Sequence, residues 1–171
     1  LREAVARKLK RENKSEADPE TEIIITDGGL GAIFAAIQSL VNPGDEVLVF
    51  DPAWPRYFQN VSLVGGIPKH IFLEEENGFL PDVDEIKKHI TKKMKLVILN
   101  TPNNPTGAVV PKNVLEEIGD LAVEHDLILI LDEVYERIVY EAKHFSLATH
   151  SDLKDRIITV FYFSKTYAMT G

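Results

Sequence analysis

Short, uniformly apolar runs alternate with stretches whose apolar residues recur every three or four positions. This alternation repeats along most of the chain. Residues 1–11 carry Leu1, Ala4, Val5 and Leu9 on one helical face, and residues 13–20 are polar with an Asp18-Pro19 step, a loop. The β-branched run at 23–26 predicts a first strand, and the glycine-rich turn at 27–31 leads into a helix over 32–41 through Ile33, Phe34, Ile37, Leu40 and Val41. Turn chemistry at 42–45 ends it. A second strand over 46–50 runs into a loop at 51–57 rich in proline and aromatic residues. A helix over 58–64 closes at Gly65-Gly66, and a third strand covers 67–73. After an acidic turn at 74–78, Asp82 and Glu85 have the spacing of a capping box for a helix through Ile90. The fourth strand is 96–100, followed at 101–107 by a segment whose two prolines and glycine forbid regular structure. A helix over 113–125 buries Val114, Leu115, Ile118, Leu121 and Ala122. The fifth strand, 127–131, is apolar at every position, and a sixth is expected over 157–163.

Strands alternating with helices predict an α/β fold with a mostly parallel sheet. Strands that are apolar throughout predict helices on both faces. No linker or internal repeat interrupts the pattern, so 1–171 is expected to form one α/β layer domain.

Composition narrows the function. The chain is 44% apolar and 27% charged over 171 residues, enough for a real core. A net charge of −8 argues against a general nucleic-acid or anionic-membrane binder. There is no cysteine, hence no thiolate nucleophile or thiolate metal site, and the five histidines lack metal-ligand spacing, so no metal is expected. No apolar run approaches the roughly 18 residues of a membrane span. With no signal-peptide pattern, the expectation is a cytoplasmic protein. The chain opens inside a helical pattern at Leu1 and stops at Gly171, which suggests a fragment.

The chemistry lies at the strand ends. In an open parallel sheet these share one edge, where ligands bind. The first expected strand ends at Gly28-Gly29-Leu30-Gly31, the fourth near Asn104, the fifth at Asp132 and Tyr135, and the sixth at Ser164-Lys165. The glycine turn opens a helix, whose free amides and dipole suit an anion such as phosphate; alternatively it is a tight turn that merely needs glycine. Asp132 closes an apolar strand, where an ionised carboxylate needs a partner; it serves either a cationic ligand or as a helix N-cap. Trp54, the only tryptophan, offers a stacking face or simply packs beneath its loop. Asn104 offers an amide and Tyr135 a phenol, though turn chemistry and aromatic packing account for either alone. Lys165 is a charged exit from a strand or, with its pKa lowered by its surroundings, a Schiff-base lysine. As one set, these groups complement pyridoxal 5′-phosphate: a phosphate cradle, a stacking ring, a carboxylate for a ring N–H⁺, donors for a ring oxygen, and an amine.

Over essentially its whole length the chain resembles the class I and II aminotransferases of the pyridoxal-phosphate fold-type I superfamily. The matching stretches are Pro43-Gly44-Asp45-Glu46-Val47, Asp51-Pro52-Ala53-Trp54-Pro55, Asn103-Asn104-Pro105-Thr106-Gly107, Asp132-Glu133-Val134-Tyr135 and Ser164-Lys165-Thr166-Tyr167-Ala168-Met169-Thr170-Gly171, with Leu1-Arg2-Glu3-Ala4 at the start. The resemblance implies that 1–171 is a partial cofactor-binding large domain, lacking an N-terminal segment, a final strand, a small domain and arginines for phosphate and substrate. It implies amino-group transfer between an amino acid and a 2-oxo acid in a homodimer. Lys165 would be the Schiff-base lysine, Asp132 the partner of the pyridine nitrogen, and Tyr135 and Asn104 the pair on the ring oxygen. Trp54 would stack on the ring, and the amides of Gly29 and Leu30 would meet the phosphate. A lyase or synthase of the same superfamily, or a non-catalytic fragment, would carry the same motifs. Two departures stand out. Relatives commonly place a small residue, often Ser, where this chain has Tyr162, and often Ser or Thr where it has Leu30. Asp27 adds negative charge beside the cradle.

Overall fold

The computed structural model describes residues 1–170. Five strands form one sheet in the order β2-β1-β3-β4-β5, and every adjacent pair is parallel. These are β1 (Glu46–Asp51), β2 (Ile67–Phe72), β3 (Met94–Asn100), β4 (Ile128–Asp132) and β5 (Ile157–Val160). The helices are α1 (Arg2–Lys8), α2 (Gly29–Leu40), α3 (Arg56–Leu63), α4 (Val83–His89), α5 (Lys112–Glu124) and the one-turn α6 (Phe163–Thr166).

Successive strand residues point to opposite faces, and both faces are covered. Leu48, Val97, Leu99, Leu129 and Leu131 pack with Ile86 of α4 and Leu115 and Ile118 of α5. Val47, Val49, Leu96, Ile98 and Ile130 pack with Ile33 and Ile37 of α2 and Tyr57 and Val61 of α3. The expected α/β layers are therefore present, and they put α2 and α3 on the same side of the sheet.

Five expectations change. Residues 23–26 form no strand; among the described residues no ladder pairs with them, and Ile24 is 86% exposed. The last strand stops at Val160 rather than 163, because its neighbour β4 stops opposite, at Asp132. Lys165 consequently lies on α6, not at a strand end. Helix α3 begins at Arg56, so Tyr57, placed in the preceding loop by the sequence, is helical and turned into the core. The helix of 1–11 gives way at Leu9 to a π turn ending at Asn13. The expected cap is formed: Asp82 accepts hydrogen bonds from the amides of Asp84 and Glu85 at the start of α4. Gly171, the last residue of the Ser-Lys motif, lies outside the described residues.

Candidate functional site

The ends of β3 and β4 and the start of the segment after β5 meet on the face covered by α2 and α3. Register pairs Asn100 with Asp132 and Asp132 with Val160. Strand alternation carries Asn100 and Asp132 to the side of Ile98 and Ile130. Tyr162, two residues past Val160 in extended backbone, follows to the same side.

Asp132 is the centre of this corner. Its side chain is 2% exposed. The Tyr57 hydroxyl donates to its Oδ2 at 2.6 Å, and the Val134 amide donates to its Oδ1 at 3.2 Å. Among the described residues no lysine, arginine or histidine is paired with it. Burial therefore pushes its carboxyl up to about 6, although the Tyr57 and Val134 hydrogen bonds favour the ionised form. The phenol of Tyr57 is raised well above its ordinary value, first by burial and then by the neighbouring Asp132 charge.

The other residues singled out from the sequence stand as follows relative to this carboxylate. Trp54 is half-buried and stands edge-on to Tyr57, with ring centroids 5.7 Å apart and planes at 87°. Asn104 is fixed through its backbone N–H, which donates to Asn100 Oδ1 at 2.7 Å; Asn100 Nδ2 in turn donates to the Asp132 carbonyl at 2.8 Å. Tyr135, half-buried, is near enough to raise the phenols of Tyr57 and Tyr162 electrostatically. Gly29 and Leu30 form the first turn of α2. Gly28 is its N-cap at φ 98°, supplies no capping side chain, and accepts the first helical hydrogen bond only from Ala32. The amides of Gly29, Leu30 and Gly31 thus lack helical partners, which makes an anion cradle. The carboxylate of Asp27 lies against it: a Cβ on Gly31 would fall 2.2 Å from Asp27 Oδ1. Lys165 is exposed on α6, and its side chain makes no hydrogen bond or ion pair among the described residues. It is therefore adjacent in sequence to the corner rather than bonded into it.

Sequence reasoning missed Tyr57 and Asn100 and the volume of Tyr162. The Tyr162 ring lies directly over Gly29, where a Cβ would meet Cε1 at 1.5 Å and Cζ at 1.8 Å. Among the described residues its buried hydroxyl makes no well-formed hydrogen bond, and burial together with the charge and weak hydrogen bonding of Asp132 raises its phenol. A cavity of about 880 Å³ lies on one side, lined by Asp27, Gly28, Gly29, Tyr162 and Ser164 among others. A second, of about 380 Å³, is bounded by Lys8, Glu133, Tyr162 and Tyr167 among others. Tyr162 is a wall of both.

A separate polar cluster sits behind β4. Glu133, Glu136 and His144 bring ligand-type atoms within 4.8 Å of one another. Glu136 is already held by the Lys8 ammonium and by the Asn13 amide at 2.6 Å, and His144 Nε2 lies 3.4 Å from Glu133 Oε2. This is an ion-pair network tying α1 to the segment after β4. No described helix is long and apolar enough to cross a membrane.

The family model described as aminotransferase class I and II matches residues 1–171. Aspartate aminotransferase of Pyrococcus abyssi is 49% identical over 172 residues, covering 100% of the chain and 44% of that protein. Aromatic-amino-acid aminotransferase 2 of Thermococcus litoralis is 48% identical, with the same coverage of 100% and 44%. The solved structure of an aromatic aminotransferase from Pyrococcus horikoshii OT3 superposes with a TM-score of 0.97 at 48% identity, over 99% of this chain and 46% of that one. The chain therefore spans less than half the length of the proteins it matches.

Proposed function

The chain belongs to the class I and II aminotransferase family, and from that premise we propose that it is the cofactor-binding part of a pyridoxal 5′-phosphate-dependent aminotransferase. The enzyme moves an amino group between an amino acid and a 2-oxo acid. Residues 1–171 are read as a partial large domain, completed in a cytoplasmic homodimer. The names of its relatives make aspartate and the aromatic amino acids the first donors to test.

The observation that carries this reading is Asp132. A carboxylate that is 2% exposed and faces only phenols and an amide is short of a cation. A protonated ring nitrogen supplies one. The α2 N-terminus on the same face suits a phosphate, and the donor set around it suits the rest of the cofactor: the Asn104 amide and Tyr135 phenol for a ring oxygen, Trp54 for a ring face. The chemistry of the residues therefore fits the group, whereas the space between Gly29 and Asp132 is taken by Tyr162.

Pyridoxal 5′-phosphate, when bound, supplies an electron sink for the pair left at the substrate Cα. Everything else falls to the chain. Asp132 would keep the ring nitrogen protonated by accepting its N–H, and Tyr57 and the Val134 amide keep Asp132 aimed and favour its ionised form. The free amides of Gly29 and Leu30 would hold the phosphate. Lys165 would hold the cofactor through Nζ, and its free amine would carry the proton at the substrate Cα as general base. The reading is tested by single-turnover amino transfer from aspartate and from phenylalanine to the loaded protein, followed by release of the corresponding 2-oxo acid. Transfer that persists in Lys165→Ala would contradict it. A second reading, a member of the family that no longer takes up the cofactor, is favoured by one observation only, the position of Tyr162.

A further inference from the structure

Extended backbone after β5 sends Val160 and Tyr162 to the same face as α2. Tyr162 therefore reaches over Gly29 at one end, with Cε1 1.5 Å from the place of a Cβ. At its other end it feels the charge of Asp132. The ring spans from the amides that suit a phosphate to the carboxylate that suits a ring nitrogen. We propose that Tyr162 is a displaceable occupant of the cofactor's own space, and that its departure from between Gly29 and Asp132 controls how fast and how tightly pyridoxal 5′-phosphate is taken up. The proposal rests on the reading of the site given above.

Two features make the ring displaceable rather than fixed. Among the described residues its buried hydroxyl makes no well-formed hydrogen bond and interacts only weakly with the Asp132 carboxylate, which Tyr57 and the Val134 amide still satisfy, so little is lost when it leaves. The cavities of about 880 and 380 Å³ on either side give it somewhere to go. Steric exclusion also explains why the occupant sits over a glycine: any side chain at position 29 would collide with it. The occupied form is then the resting state. Apparent affinity is the intrinsic affinity scaled by the fraction of molecules with the ring withdrawn.

The test measures binding without turnover. Pyridoxamine 5′-phosphate, which cannot join a lysine, is titrated and mixed rapidly with the protein, read by quenching of Trp54, the only tryptophan. Tyr162→Gly should bind at least about tenfold more tightly than wild type, tenfold being 1.4 kcal/mol. It should also bind faster. Tyr162→Phe, which keeps the ring, should stay within about threefold of wild type. In wild type the binding rate should level off as ligand concentration rises, because the ring must leave first; this arm needs no variant to fold. Equal or weaker binding by Tyr162→Gly, or a wild-type rate that climbs linearly without limit, would overturn the proposal while leaving the site reading intact. Should neither wild type nor Tyr162→Gly bind pyridoxamine 5′-phosphate, and neither attach pyridoxal 5′-phosphate at Lys165, the site reading itself fails and takes the proposal with it.

Discussion

Replacing Asp132 with asparagine should make the cofactor-free protein more stable at neutral pH while disabling the enzyme. The carboxyl is raised from 3.8 to about 6, with burial as the leading cause. Between those values the folded chain holds a proton that the unfolded chain has released, so stability falls as pH rises through this window. Above pH 6 the full penalty is present; a shift of about two units corresponds to roughly 3 kcal/mol at 1.36 kcal/mol per unit. Asparagine never ionises and escapes that penalty. It reproduces the two hydrogen bonds from Tyr57 and Val134 imperfectly, at a cost of about 1 kcal/mol. The net expectation is a gain of about 1–2 kcal/mol at pH 7.5, or roughly 2–8 °C in Tm for a chain of this size. At pH 4, where wild type is also protonated, the variant should be slightly less stable. Urea unfolding of both proteins at pH 4, 5, 6 and 7.5 gives a difference curve in which the other carboxylates cancel. A variant less stable than wild type at pH 7.5, or a difference that does not change with pH, would refute the idea that Asp132 is a buried charge held in reserve for a cationic partner. In the loaded enzyme the same substitution should lower turnover by roughly 10²-fold or more, since the partner proposed for the ring nitrogen is gone.

Other outcomes follow from the same geometry. Lys165→Ala should abolish borohydride-fixed cofactor attachment without altering the thermal unfolding midpoint by more than about 1 °C, because the side chain is exposed and unbonded among the described residues; calorimetry and mass spectrometry check this. Tyr57→Phe removes the 2.6 Å bond to Asp132 and should cost about 1.5–3 kcal/mol above pH 6, where the acceptor is charged, but about 1 kcal/mol at pH 4, read by urea unfolding at the two pH values. Asp82→Ala removes the cap that accepts from Asp84 and Glu85 and should cost about 1 kcal/mol with no effect on cofactor binding.

The sheet was legible because its strands are buried on both faces. Residues 127–131 contain no polar position, and nothing but a central parallel strand suits them. Where the sequence misled, the cause was a missing or short neighbour. Residues 23–26 have strong β propensity, but a strand exists only as part of a ladder, and none reaches them among the described residues. The aromatic run 161–163 looks like more of β5, yet β4 ends opposite Val160, and the chain turns into α6 instead. Tyr57 was hidden by Pro55, which punctuates a loop in sequence but is well tolerated where a helix begins, here as the N-cap of α3. The site was legible in its types more than its geometry. Asp132 announced itself as a carboxylate closing an apolar strand. The partner that aims it comes from α3, 75 residues earlier, and no local pattern links the two. Tyr162 was visible as the loss of a small polar residue beside the cradle; that it reaches over Gly29 depends on strand alternation and on α2 lying above that face.

The central claim is that this corner of the sheet holds pyridoxal 5′-phosphate on Lys165. The protein would be mixed with stoichiometric pyridoxal 5′-phosphate, reduced with borohydride, digested and mapped by mass spectrometry. The expected result is a single pyridoxyl group on the peptide containing Lys165, its loss when Lys165 is replaced, and a lower yield at stoichiometric cofactor when Asp132 is replaced. Label spread over exposed lysines such as Lys10 and Lys88, unaffected by either substitution, would contradict it.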